Sequence, residues 1–136
     1  RRDGTPMSVL LLDADHFKPV NDQFGHAVGD ELLRHLDQRL RNAVRSSDID
    51  CRIGGDEFLV ICPRSNLHGA VRAAQKILDS QAPFLTAQAQ LCWDGSLSIG
   101  IAEVDAALLH TDDLPNSADR ALHEAKQKGG SRAMTS

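Results

Sequence analysis

Two groups of carboxylates each follow directly after a short segment of the chain that is either apolar or made of glycines. Asp13 and Asp15 follow an apolar run at residues 8–12, and Asp56 and Glu57 follow a pair of glycines. In an extended chain Asp13 and Asp15 project to the same side, because side-chain direction alternates with a period of two. Gathered carboxylates repel one another unless a cation lies between them, and hard oxygen ligands suit Mg²⁺. A pair of such ions can activate an attacking oxygen and neutralise a leaving phosphate group. Acidic residues after strands also form turns and cap helices, so the carboxylates alone leave both interpretations open.

The pair Gly54-Gly55 also has two interpretations. It predicts a hairpin turn that requires positive φ, or a place where missing side chains let a ligand approach the backbone closely. The neighbouring acids favour the second interpretation. The complete string is Arg52-Ile53-Gly54-Gly55-Asp56-Glu57-Phe58.

The composition suits one globular domain, and we expect residues 1–136 to form it. Hydrophobic residues make up 41% and charged residues 25% of the 136 residues. The net charge of −4 argues against a surface for nucleic-acid polymers, which need clustered positive charge. A nucleotide needs only one local cationic site or a metal. No apolar run approaches the roughly 18 residues of a membrane span, and nothing is typical of a signal peptide.

Three cysteines form no CxxC pair and leave an odd count. This usage is typical of a reducing, cytoplasmic compartment. Cys62 lies in the apolar run at 58–62, so we expect a buried free thiol there.

Hydrophobic periodicity predicts one α+β domain, a mixed sheet with helices packed on it. Asp30 and Glu31 lie near the start of the first amphipathic helix, where the helix dipole favours acids. The predicted elements are a buried strand at Ser8–Leu12, a loop from Asn21 to Gly29, a helix beginning at Asp30, a hairpin at Ile49–Cys62, a helix at Leu67–Leu78, a hairpin in which Leu91–Trp93 and Ser96–Ala102 flank Asp94-Gly95, and a last helix that holds Ala118–Ala125 and stops near Gly129-Gly130.

Several strings of this chain resemble the GGDEF family, the catalytic domains of diguanylate cyclases. The similarity runs in family order from about residue 8 to residue 130, which is nearly the whole chain. The strings that carry it are Gly54-Gly55-Asp56-Glu57-Phe58, the block from Asp13 to His26, Gly29-Asp30-Glu31-Leu32-Leu33, Ser98-Ile99-Gly100, and the block from Ala118 to Lys126.

The resemblance implies a central, mostly antiparallel sheet flanked by helices, related to the polymerase palm and to class III nucleotidyl cyclases. It implies two Mg²⁺ or Mn²⁺ ions per GTP, held by Asp13, Asp56 and the backbone carbonyl of Ala14. Glu57 would assist deprotonation of the 3′-hydroxyl or contact the second metal. The residues implied to contact GTP are Asn21 and Asp30 at the guanine, Lys126 at the triphosphate, and Phe17, Gly54 and Gly55 around the pocket.

Arg45 and Asp48 match the family's RxxD inhibitory site, where the product cyclic di-GMP binds. An arginine fork suits phosphodiester oxygens, and an aspartate can read a guanine edge. The alternative is an ordinary helix C-terminal arginine followed by a turn aspartate. The position just before the glycine turn favours product binding.

The chain departs from the family pattern in three places. Gly130 stands where a phosphate-binding arginine normally sits, and His123 replaces a tyrosine. Without that arginine we expect reduced nucleotide affinity, because a lysine ammonium is a point charge and cannot bind phosphate through two parallel hydrogen bonds as a guanidinium does. Lys128 and Arg132 are the candidates to compensate. The family's Asp-x-Leu-Thr-Gly-Leu-x-Asn-Arg-Arg box and preceding helix do not occur, so we expect a fragment of a longer protein with an upstream sensory or regulatory domain.

The expected function is condensation of two GTP into cyclic di-GMP and two pyrophosphates by a homodimer, in the cytoplasm and without direct membrane contact. One alternative is a weakly active or inactive domain that binds cyclic di-GMP or GTP as a regulatory module. Another is an adenylyl or mixed-dinucleotide cyclase. Asp30 disfavours this adenylyl or mixed-dinucleotide activity, because an ionised carboxylate accepts hydrogen bonds from the N1–H and N2–H donors of guanine.

Overall fold

The computed structural model describes residues 6–88, 90–104 and 116–135. Within these residues, no helix combines the length and the apolar character needed to cross a membrane. The elements in chain order are β1 (Met7–Ala14), α1 (Phe17–Phe24), α2 (His26–Ala43), β2 (Ile49–Gly54), β3 (Glu57–Pro63), α3 (Leu67–Asp79), β4 (Phe84–Leu85), β5 (Leu91–Trp93), β6 (Leu97–Val104), α4 (Asn116–Gln127) and β7 (Arg132–Thr135).

The main sheet has five strands in the order β2-β3-β1-β6-β7. The central strand β1 runs antiparallel to both β3 and β6, and the outer strand β7 runs parallel to β6. β4 and β5 form a separate two-stranded sheet. This mostly antiparallel sheet with helices on both faces confirms the predicted α+β class.

Alternate side chains of β1 enter two different cores, as the period of a strand requires. Leu10 and Leu12 pack with α2 and α3 on one face, and this is the larger core. Val9 and Leu11 pack with α4 on the other face. The next odd-numbered residue, Asp13, therefore faces the side of the sheet on which α4 lies.

The hairpin around Gly54-Gly55 is confirmed, with β2 and β3 paired antiparallel. Phe58 is 1% exposed and belongs to the larger core. Cys62 is a free, buried thiol as predicted, and burial raises its pKa to about 12.

The predicted loop from Asn21 to Gly29 was wrong, because this segment is helical on both sides of Gly25. The Asn-Asp turn preference yields to packing: Val20 is buried, and Phe17 and Phe24 pack against the larger core. Tertiary contacts of this kind routinely override local propensity. As a result α2 begins at His26, its first turn holds no acid, and Asp30 is not the helix N-terminal acid that the sequence suggested.

The predicted hairpin across Asp94-Gly95 was also wrong. β5 pairs with β4, whereas β6 pairs with β1 and β7. The turn at Asp94-Gly95 therefore leads the chain from the two-stranded sheet into the main sheet. Within it, the Asp94 carboxylate accepts a hydrogen bond from the Ser96 N–H at 3.0 Å. The strand β7 was not predicted at all, because its four residues carry no alternating pattern and pair only with a strand distant in sequence.

Arg39 is a charged residue inside the fold, with 7% exposure. Its guanidinium donates to the carbonyl of Gly95 at 2.6 Å, the carbonyl of Ile77 at 2.9 Å and the hydroxyl of Ser80 at 2.8 Å. These partners are neutral, and burial lowers the pKa of Arg39. One side chain thereby links α2 to the end of α3 and to the turn before β6.

We expect Arg39→Lys to lower the free energy of unfolding by roughly 2–3 kcal/mol, because an ammonium cannot reach all three acceptors and each bond to a charged donor is worth about 1.5–3 kcal/mol. Urea unfolding followed by circular dichroism measures the change. Arg120→Lys, at an exposed position of α4, is the matched control. Equal stability of the two variants would contradict the structural role of Arg39.

Candidate active site

Two carboxylates, those of Asp13 and Asp56, are neighbours where β1 ends and the β2–β3 hairpin turns. Asp13 is directly opposite Glu57 in the register of β1 and β3. The carboxyl of Asp56 lies close enough to Asp13 to raise its pKa. The structure therefore brings together the two acidic groups that the sequence separates by more than forty residues.

A lysine from α4 completes this cluster. Its Nζ lies 3.1 Å from Asp13 Oδ2 and 3.8 Å from Asp15 Oδ1. Lys126 reaches both because the apolar side of α4 packs on the sheet face toward which Asp13 points: Ala118 and Leu122 are buried there. The predicted same-side projection of Asp13 and Asp15 is consistent with this shared contact.

Burial, and after it the charge of neighbouring acids, raises the pKa of two carboxyls at this site. Burial, and after it the adjacent Asp56, raise the pKa of Asp13 from an ordinary value of 3.8 to about 7, although Lys126 acts in the opposite direction. Burial also raises the pKa of Glu57, helped by the charges of Asp119 and Asp56. Both shifts reflect first the burial of these carboxyls and only second the negative charge of their neighbours.

Asp13 has an oxygen that fits a metal ligand. Its Oδ1 is buried and receives no hydrogen bond within the described part of the chain. Across those residues, no three His, Cys, Asp or Glu side chains are grouped as a protein-only metal site. The metal ligands that this chain can offer here are the carboxylates of Asp13 and Asp56, with the Ala14 backbone beside them. This suits Mg²⁺, which takes one or two carboxylates and completes its shell with phosphates and water.

Asp15 differs from Asp13 despite its place in the same acidic string. Its Oδ2 accepts from Ser96 Oγ at 2.9 Å and from the Ser131 N–H at 2.8 Å, and its Oδ1 accepts from Ser98 Oγ at 2.6 Å. It is 5% exposed. A carboxylate saturated in this way is a structural group. The local sequence carries no sign of this difference, because the donors come from Ser96 and Ser98 at the start of β6 and from Ser131 after α4.

The residues implied to hold guanine lie on α1 and α2, which pack against each other. The carboxamide of Asn21 lies so close to Gly29 that a Cβ there would overlap its oxygen, and Phe17 lies on the same side. Asp30 is the next residue and is exposed. It lines a groove of about 670 Å³ between α2 and β2, together with Arg52 and Phe58.

The Gly54-Gly55 turn has open space on its outer side. Gly55 has a φ of +45°, and a Cβ at either glycine would have no heavy atom within 4 Å. Arg52 Nε donates to the Gly55 carbonyl at 2.7 Å and holds the turn. The turn thus needs positive φ, and it also leaves its backbone accessible, so both interpretations of the glycine pair are compatible with the geometry.

Gly130 is confined by the buried Asp15. It has a φ of +73°, and a Cβ there would lie 2.7 Å from Asp15 Oδ2. The two candidate replacements for an arginine have local partners: Lys128 lies 3.8 Å from Glu124, and Arg132 Nε donates to the Gly130 carbonyl at 3.0 Å. Among the described residues, the cationic side chain that forms an ion pair with Asp13 is Lys126.

Arg45 and Asp48 lie at a different place, between α2 and β2. The Asp48 carboxylate accepts from the Arg45 N–H at 2.9 Å, and Arg45 Nη2 donates to Ser65 Oγ at 2.7 Å. They line a groove of about 590 Å³ whose wall also carries three cations that the sequence reasoning missed. These are Arg64, Arg72 and Lys76. The spacing of Arg72 and Lys76, one helical turn apart, is the signal that could have found them.

Comparison with known proteins gives a consistent match. The family model "Diguanylate cyclase, GGDEF domain" matches residues 1–132. Diguanylate cyclase DosC of Escherichia coli is 40% identical over 135 residues, which are 96% of this chain and 28% of DosC. The chain thus spans under a third of the length of this curated relative.

Two solved structures share the fold. A GGDEF/EAL-domain protein of M. capsulatus is 41% identical with a TM-score of 0.86, over 99% of this chain and 87% of that one. The GGDEF domain of DgcB from Caulobacter crescentus, solved in complex with c-di-GMP, is 26% identical with a TM-score of 0.88, over 98% and 79% of the two chains.

The raised pKa of Asp13 predicts a pH dependence of stability. The folded state retains a proton up to about pH 7, whereas the unfolded chain releases it near 3.8. The free energy of unfolding of the wild type therefore falls as pH rises through this window. Asp13→Asn removes the titrating group, so we expect this variant to gain stability relative to the wild type as pH rises.

Urea unfolding at pH 4.5, 6 and 8, in a buffer free of divalent ions, measures this difference. Asp22→Asn is the control, because Asp22 is exposed on α1. Parallel profiles for Asp13→Asn and the wild type would show that Asp13 has an ordinary pKa.

Proposed function

The chain belongs to the diguanylate cyclase GGDEF family, and on that premise we propose that it condenses two GTP into cyclic di-GMP with release of two pyrophosphates. The observation that carries this proposal is the buried, donor-free Oδ1 of Asp13 beside Asp56 and Lys126, at the glycine turn. Such a site combines cation ligands with a residue that can neutralise phosphate.

The metal ligands in this proposal are the carboxylates of Asp13 and Asp56 and the Ala14 carbonyl, with two Mg²⁺ or Mn²⁺ ions per GTP. When bound, these ions would neutralise phosphate charge and favour ionisation of the attacking hydroxyl. Lys126 contacts the triphosphate, because its Nζ already lies at the edge of the carboxylate cluster.

Base selection belongs to Asn21 and Asp30, with Phe17 beside them and Gly54 and Gly55 leaving room at the turn. The Asp30 carboxylate accepts from the guanine N1–H and N2–H groups. Adenine lacks this pair of donors, so its binding would leave a polar group without a partner, which discriminates strongly. Asp30 thereby favours GTP over ATP.

The chemical step joins the 3′-hydroxyl of one GTP to the α-phosphorus of the other, and the bond to pyrophosphate breaks. Glu57 accepts the hydroxyl proton, a role that the raised pKa of its carboxyl supports,. The step occurs twice between two facing domains, so activity requires a homodimer. An upstream sensory or regulatory domain would control the pairing by raising the effective concentration. Since GTP is a cytoplasmic metabolite, we place the reaction there, without nucleic-acid polymer or membrane contact.

The second site in the proposal binds the product. Arg45 and Asp48 offer a guanidinium and a carboxylate to phosphate and guanine, and Arg64, Arg72 and Lys76 add positive charge along the same groove. A cyclic dinucleotide carries two phosphodiester charges, so a groove with four cationic side chains and one guanine acceptor suits it. Occupation of this site would inhibit the enzyme.

A weakly active or inactive regulatory domain is the second candidate. One observation favours it: Gly130 provides no guanidinium, and the space for a side chain there is restricted by Asp15. Such a domain would keep the Arg45 groove and bind cyclic di-GMP or GTP without efficient turnover.

We expect Asp56→Ala to reduce cyclic di-GMP formation by more than about a hundredfold, as expected for loss of a metal-binding carboxylate. The assay uses a chain dimerised by a fused leucine zipper, GTP and Mg²⁺ or Mn²⁺, with products separated by chromatography. Glu124→Ala, an exposed carboxylate on α4, is the control. Unchanged yield in Asp56→Ala would contradict the proposed chemistry, and equal turnover of ATP would contradict the role of Asp30.

We expect Arg45→Ala to weaken cyclic di-GMP binding by at least about tenfold, because a charge-assisted hydrogen-bond donor is lost. Isothermal titration calorimetry of the wild type and the variant measures this. Arg120→Ala removes an exposed arginine from a different surface and should bind as the wild type does. Equal affinity in all three proteins would place the product elsewhere.

A further inference from the structure

The buried carboxylate of Asp15 lies where three segments meet: the end of β1, the start of β6, and the turn between α4 and β7. We propose that Asp15 is a positioning residue for the phosphate-binding lysine, fixing Lys126 and the turn at Gly130 relative to Asp13. This inference rests on the proposed function, in which Lys126 contacts the triphosphate. The family motifs imply no such role for Asp15, and Asp15 is not among the proposed metal ligands.

The orientation of Asp15 is fixed by donors on every side. Its backbone is held by the Trp93 Nε1–H, which donates to the Asp15 carbonyl at 2.8 Å, and by its own N–H, which donates to the Ser96 carbonyl at 3.0 Å. Its carboxylate receives the hydroxyls of Ser96 and Ser98 and the N–H of Ser131. The carboxylate therefore cannot rotate without breaking bonds to two other segments.

The charge of Asp15 matters as well as its shape. Oδ2 faces the Ser131 N–H at 2.8 Å, and Oδ1 faces the Lys126 ammonium at 3.8 Å. Neither of these groups can accept a hydrogen bond. An asparagine amide would have to direct its own NH₂ group at one of them in either orientation, so an amide of the same shape cannot serve both.

This chain depends on such an anchor because Gly130 contributes no side chain to the phosphate site. A lysine side chain is long and flexible, and its ammonium is located only by the groups around it. Among the described residues, the ammonium of Lys126 forms ion pairs with Asp13, at 3.1 Å, and with Asp15, at 3.8 Å. In the proposed function Asp13 also binds metal, whereas Asp15 is not a metal ligand and can stay beside Lys126 throughout.

The test is a double-mutant cycle on nucleotide binding. A GTP analogue whose ribose hydroxyls carry a fluorophore can bind but cannot condense, so its titration with Mg²⁺ reports affinity alone. We expect Asp15→Asn to weaken binding by about tenfold, within the range of couplings between contacting residues. In a Lys126→Ala background the same substitution should have less than about a twofold effect, because the group that it positions is gone.

Two further variants separate positioning from general destabilisation. Ile77→Val removes a buried methyl group from the larger core, so it is expected to be destabilised without altering the donors to Asp15, and it should bind the analogue as the wild type does. Ser98→Ala keeps the charge of Asp15 and removes the donor at 2.6 Å. We expect it to weaken binding by about threefold, again only when Lys126 is present. This variant supplies the answer if Asp15→Asn does not fold.

Wild-type affinity in folded Asp15→Asn, or in Ser98→Ala when Asp15→Asn does not fold, overturns the proposal. So does a loss that adds fully to that of Lys126→Ala, since Asp15 would then act through another group. If Lys126→Ala itself binds normally, the proposed role of Lys126 is wrong and the positioning role fails with it. A weakened Lys126→Ala beside an unaffected Asp15→Asn contradicts the positioning role alone.

Discussion

The burial of carboxylates at the end of β1 is the constraint around which the site is arranged. Burial, and after it the neighbouring Asp56, raise the pKa of Asp13, and burial with the charges of Asp119 and Asp56 raises that of Glu57. Lys126 supplies a single compensating charge. The helix that carries it must lie on one particular face of the sheet, so the position of α4 and the chemistry of the site are linked.

Two neighbouring aspartates acquire opposite characters through their hydrogen bonds alone. Asp13 retains a buried oxygen with no donor, whereas Asp15 accepts from two hydroxyls and a backbone N–H. The first is suited to an external cation, and the second joins parts of the fold. The local sequence does not distinguish the two aspartates, and the difference arises from the donors Ser96, Ser98 and Ser131.

The sequence predicted the features that depend on local pattern. These are the buried strand at residues 8–12, the glycine hairpin, the burial of Phe58 and the amphipathic faces of α2 and α3. It failed where distant contacts decide: α1 is helical because Phe17 and Phe24 reach the larger core, and the chain at Asp94-Gly95 changes sheets. The family resemblance implied which acids would bind metal, and this stays a prediction, whereas the role proposed for Asp15 required the three-dimensional arrangement of its donors.

The bond between Asp15 and Ser131 spans 116 positions of the chain, and β7 pairs beside it with β6. A ribosome releases the first of these residues long before the second. The Asp15 carboxylate can therefore complete its set of hydrogen bonds only after the segment that holds Ser131 has emerged. Contacts of such long sequence separation slow folding, so this site is among the last parts of the domain to reach its final geometry during synthesis.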